Sequence, residues 1–104
     1  MEFLIRRIVF YSFLLFALQA NAQAGQDALE AAFAKSYQLE KNGDFKAAAD
    51  ALKKVMDESS YEINLRLGWL NYNAGRFDES VLFYRNAQKL KPYSEEARFG
   101  LILP

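Results

Sequence analysis

Three pairs of adjacent carboxylates, Asp57-Glu58, Asp78-Glu79 and Glu95-Glu96, are the residues whose type could perform acid–base chemistry. A carboxylate hydrolase needs two such groups to converge on one substrate atom. Neighbours in a helix diverge by about 100° around its axis, so none of these pairs converges. Two of the pairs fall in first turns of helices, where negative charge complements the helix dipole. Cysteine and histidine are both absent from the 104 residues. Their absence excludes disulfides, the usual zinc sites, Cys nucleophiles and imidazole bases. It also excludes a lipid-modified Cys after a leader. Chemistry would fall to carboxylates, Lys, Tyr or Ser, and the expectation is a protein that is no enzyme and takes no metal or cofactor. Alanine at Glu40 is the cheapest probe of the contrary.

Charge and composition narrow the partners. Thirteen basic residues balance thirteen acidic ones, so no net field recruits nucleic acid or an anionic membrane. No stripe of basic residues interleaves with aromatics either. With 52% apolar and 25% charged residues, the chain reads as globular rather than disordered. Its length leaves room for one domain.

Residues 1–22 read as an address. Arg6 and Arg7 form a short positive region, and Ile8 to Leu18 is an eleven-residue run in which only Ser12 is polar. Ala20-Asn21-Ala22 then supplies the small-x-small pattern of signal peptidase cleavage, after Ala22 or, through Ala22-Gln23-Ala24, after Ala24. A retained membrane anchor is the alternative, but a bilayer core asks for roughly 20 apolar residues. Cleavage would remove Glu2, Arg6 and Arg7, leaving 11 basic against 12 acidic residues in an exported chain, periplasmic or secreted. Without cysteine, that chain must be held together by packing.

From Asp27 onward apolar residues recur at three- and four-residue spacing, which predicts helices. Leu29, Ala32, Phe33, Ser36, Tyr37 and Leu39 trace one side of the first, and Asn42-Gly43 stops it. Asp44 caps a second, with Phe45, Ala48, Ala49, Leu52, Val55 and Met56 as its stripe. Ser59 and Glu62 have the spacing of a capping box for a third, which runs to Asn73 and ends at Ala74-Gly75. A fourth spans Phe77 to Leu90 before Pro92, and Ser94 caps a fifth. Turns this short make antiparallel hairpins. The hairpins repeat: Gly43 and Gly75 are 32 residues apart, as are Phe45 and Phe77, Tyr61 and Tyr93, Arg66 and Arg98, and Gly68 and Gly100. A fixed interval across turns and packing positions marks stacked helix pairs.

The unit at 61–92 resembles a tetratricopeptide repeat. Leu67-Gly68 matches the family's Leu-Gly pair and Gly75 its turn glycine, while Phe77, Tyr84, Ala87 and Pro92 match its second helix. Ser80 stands where Ala is usual, and Asn64 replaces the first bulky aromatic. The unit at 29–60 is more degenerate, with Ser36 for the Gly and Val55 for the second Ala, and 93–104 looks like a third begun. Its 32-residue spacing is shorter than the family's period of about 34. The resemblance implies an all-α fold over 26–104, with antiparallel hairpins stacked as a right-handed superhelix in a short or truncated array.

In this family the first helices of the hairpins line a concave face that grips peptides or partner helices. Counting along the repeat, the resemblance places Phe33, Tyr37, Glu40 and Lys41 on that face, then Leu65, Trp69, Tyr72 and Asn73, then Ala97 and Leu101. The same spacing also fits Trp69, Tyr72 and Tyr37 wedged between helices as core, and both readings stand. Phe45, Leu52, Phe77, Tyr84 and Leu67 read as core. Members that clamp a terminal carboxylate use Lys and Asn in the groove; here Arg66 and Arg98 are the anion donors on offer, which argues against that clamp. The expected partner is therefore a protein, through a peptide or helix, with no nucleic acid and no membrane beyond the first segment. Phe99, Leu101, Ile102 and Leu103 have no following helix to cover them. The expectation is either continuation of the array beyond Pro104 or docking of that edge on another chain, including self-association.

Overall fold

The structure, a computed structural model, describes residues 2–102, with side chains described for 5–8 and 24–102. Five helices occur among them, α1 (Glu2–Lys41), α2 (Phe45–Lys53), α3 (Tyr61–Asn73), α4 (Phe77–Leu90) and α5 (Glu95–Leu101), with no strand, so the chain is all-α. Among the described residues no helix is long and apolar enough to cross a membrane.

The chain divides into two compact units, Met1–Glu30 and Ala31–Pro104. The first consists of the N-terminal part of α1, and its described side chains are exposed apart from half-buried Leu29. The side chains of the apolar run from Val9 and of the Ala20-Asn21-Ala22 cleavage pattern lie outside the described residues, as do Leu103 and Pro104. The helix expected from about Asp27 is the end of α1, which is assigned from Glu2. No Pro interrupts the stretch between.

In the second unit, turn chemistry sets the helix ends. Gly43 and Gly75 both take φ +80°, the left-handed conformation that closes a helix without steric strain. Asp44 caps α2 by accepting from the Ala47 N–H at 3.1 Å. α2 ends at Lys53, earlier than its apolar stripe suggests, because Val55 and Met56 donate to Leu52 and Lys53 in a tightened last turn. The cap of α3 is Ser60, not Ser59: the Ser60 hydroxyl accepts from the Ile63 N–H at 3.3 Å. Ser59 instead donates its hydroxyl and its N–H to the Asp57 carboxylate, at 2.6 and 2.9 Å. Glu62 then falls one position short of a capping box. Ser94 precedes α5, but its hydroxyl bonds the Tyr61 hydroxyl rather than the helix.

α2 packs on α3, α3 on α4, and α5 on both α3 and α4. The core runs through Ala48, Ala49 and Leu52, then Ile63, Leu67 and Leu70, then Tyr84, Ala87 and Ala97. Small residues let these helices approach. Ser80 is buried against Gly68 and donates to its carbonyl at 2.7 Å, which adds a hydrogen bond at the helix crossing. Fully buried Asn64 donates to the Ser60 carbonyl at 2.8 Å and to those of Asp57 and Glu58 at 3.3 Å. This side chain fastens the α2–α3 loop to the start of α3. Phe77 departs from the expected core: it is 53% exposed and meets Tyr72 edge-on, with centroids 5.4 Å apart. At the first position of α4 it lies beside solvent rather than between helices.

Candidate functional site

The site is built on Tyr84, which α4 sends between α3 and α5. Gly68, Tyr84 and Gly100 follow one another at sixteen-residue intervals. A Cβ at Gly68 would lie 2.9 Å from the Tyr84 ring, and one at Gly100 would run into the same ring. The two glycines therefore allow the helix backbones to close on either side of the phenol. Burial, and secondarily the proximity of Tyr72, pushes the Tyr84 phenol up to about 12.

Over this floor stand Leu65 and Trp69 from α3 and Phe99 from α5, with Glu95 and Glu96 beside them. Together they enclose an open, mainly apolar cleft of about 580 Å³. Trp69 is 38% exposed and steadied by a perpendicular contact with Phe45, centroids 5.7 Å apart. Phe99 is 64% exposed. A smaller depression of about 230 Å³ shares Leu65 and Trp69 and adds Tyr37, Glu62 and Arg66. The outer face of α3 thus carries one groove, with the end of α1 on one flank and α5 on the other.

The residues expected on the concave face divide accordingly. Tyr37, Leu65 and Trp69 come together in the groove, and Trp69 combines the two readings, packed on Phe45 and 38% exposed. Phe33, half-buried, tilts on Tyr37 at 6.3 Å. Tyr72 is half-buried against Phe77, and Asn73 donates to the Trp69 carbonyl at 2.8 Å. Lys41 is exposed and Leu101 half-buried. Ala97 is fully buried, because the close approach of α5 turns its small residues inward.

The two arginines differ. Arg66 reaches the Glu40 carboxylate at 2.5 Å and lies 3.8 Å over the Tyr37 ring, with the Ser36 hydroxyl at 3.5 Å. It ties α3 to the end of α1 and is already neutralised there, so it is no open anion donor. Arg98 lines an adjoining depression of about 490 Å³ with Gln88, Leu101 and Ile102, which shares Glu95 and Phe99 with the cleft.

Among the carboxylates, Asp57 accepts from Ser59, whose hydroxyl and N–H hold it below its ordinary range. Asp50 is held low by its hydrogen bond from Arg76, 2.9 Å away. Among the described residues no group of carboxylates is placed to hold a metal ion.

Sequence reasoning passed over Tyr84 and Phe99 as parts of the site. The facing of the Tyr84 ring to Gly68 and Gly100 comes from the packing of α4 against α3 and α5 and has no signal in the sequence alone. Compared with known proteins, the chain matches no protein-family model, and no curated protein sequence matches it.

Proposed function

We propose that this chain is an exported, tetratricopeptide-type interaction module that holds a peptide or helix of a partner protein in the groove across α3. The observation that carries this reading is the pair of exposed aromatics, Trp69 and Phe99, over the buried floor of Tyr84. Exposed aromatics beside an open apolar cleft are what interface hot spots are made of. The tetratricopeptide reading is supported by the left-handed turn glycines and by the Gly68–Ser80 crossing. Export, to the periplasm or medium, rests on Arg6-Arg7, the apolar run and Ala20-Asn21-Ala22.

The test is the double variant Trp69→Ala, Phe99→Ala in a crosslinking pull-down from the exporting compartment. Partner capture is expected to fall to background while the helical circular-dichroism signal stays. Loss of that signal would mean that the two rings hold the fold together and that the groove assignment is wrong.

A second reading is favoured by Ile102, which is 74% exposed beside Phe99 and Leu101. On that reading the chain is an assembly subunit that packs through its C-terminal edge. Ile102→Ser separates the two, because an edge subunit loses its partner while a groove binder keeps it.

A further inference from the structure

The groove also carries a charge pattern that defines the chemistry of its occupant; this inference rests on the docking reading above. Glu95 and Glu96 stand at the cleft on the α5 side, and Glu62 stands at the smaller depression on the other side of Leu65 and Trp69. Glu96 is further steadied by the Tyr61 hydroxyl, which donates to it at 3.3 Å. Among the described residues that line the groove, Arg66 is the only cation, and Glu40 and Tyr37 already hold it. Lys91 is placed over the Tyr61 ring, 4.4 Å away, rather than in the lining. The groove therefore presents an apolar centre flanked by three carboxylates, with Arg98 beyond Glu95 in the adjoining depression, in a chain whose overall charge is balanced.

We infer that the occupant is a cationic amphipathic segment of a partner protein. Its large apolar side chain enters between Trp69 and Phe99, and its Lys or Arg residues meet Glu62, Glu95 and Glu96. An acidic segment would bring like charge against the same rim, which selects against it as well as failing to gain. A neutral segment would gain the apolar contact alone.

Trp69 is the only tryptophan in the chain, so its fluorescence reports on the groove directly. Three synthetic leucine-faced helical peptides without tryptophan, differing only in having Lys, Gln or Glu on the polar face, are titrated into the full chain. The Lys peptide is expected to bind about tenfold more tightly than the Gln peptide, with the Glu peptide weakest. That gap closes as salt is raised toward 1 M, where screening acts within about 3 Å. The variant Glu95→Gln, Glu96→Gln weakens the Lys peptide by roughly three- to tenfold and leaves the Gln peptide unchanged. The salt titration of the unaltered chain gives the same answer should that variant fold poorly. Equal binding of the Lys and Gln peptides, or preference for Glu, overturns the charge inference and leaves the docking reading standing. No change at Trp69 with any of the three overturns both.

Discussion

Tyr84 does two things through one ring. It fills the gap that Gly68 and Gly100 leave between α3 and α5, and it floors the cleft in which Trp69 and Phe99 stand. Burial disfavours its ionised form, so the folded chain holds the phenol neutral well past its ordinary range, up to about 12. A pKa raised on folding contributes stability that is complete below the unfolded value, near 10, and is lost as pH rises through the folded one. Stability should therefore decline between about pH 10 and 12 as the unfolded chain sheds this proton first. Tyr84→Phe keeps the ring and removes the proton, so its urea midpoint should change less between pH 8 and pH 11 than that of the parent chain. A variant that loses stability over that interval as steeply as the parent would mean that other groups set the alkaline limb.

At the scale of the elements, α5 is the shortest helix and the one on which the cleft depends. It is seven residues long, and its hold on the rest runs through Ala97 and Gly100, with Tyr61 reaching Ser94 and Glu96 from α3. Gly100→Ala puts a methyl group into the Tyr84 ring, and overpacking of this kind costs about 1–3 kcal/mol. The thermal midpoint should fall, with loss of the amide-exchange protection of α5 ahead of that of α3. Gly25→Ala is the control, because a Cβ there meets nothing within 4 Å in α1. That change should be neutral, since on the proposed cleavage after Ala22 or Ala24 residue 25 lies at the start of the mature chain. Equal effects from the two substitutions would remove Gly100 from its role in seating α5. The helix boundaries show which local signals suffice. The ends at Gly43 and Gly75 were legible, because one residue type answers the need for positive φ. The cap of α3 was not, because Ser59 and Ser60 are both competent and the choice is made by Asp57, which takes Ser59.

For the whole molecule, the all-α fold was legible because glycines, packing residues and caps repeat at one interval. One flank of the groove was legible too, since Tyr37, Leu65 and Trp69 follow that count. Phe99 was not, because its place beside Trp69 arises only when α5 closes across Tyr84, a relation between helices that no local pattern encodes. The ion pair of Arg66 was not legible for a similar reason: its partner Glu40 lies 26 positions away, on α1. What emerges is a short set of helices in which two exposed aromatics, Trp69 and Phe99, share one cleft, with Tyr37 at the adjoining depression and Phe77 and Tyr93 exposed elsewhere. The central claim is that partners enter that cleft, and site-specific photocrosslinking tests it most directly. A photoreactive residue replaces Leu65 or Phe99 in the groove, or Leu82, which is exposed on α4. The account predicts adducts with a partner protein from positions 65 and 99 and none above background from 82; adducts of equal yield from position 82, or from that position alone, would contradict it.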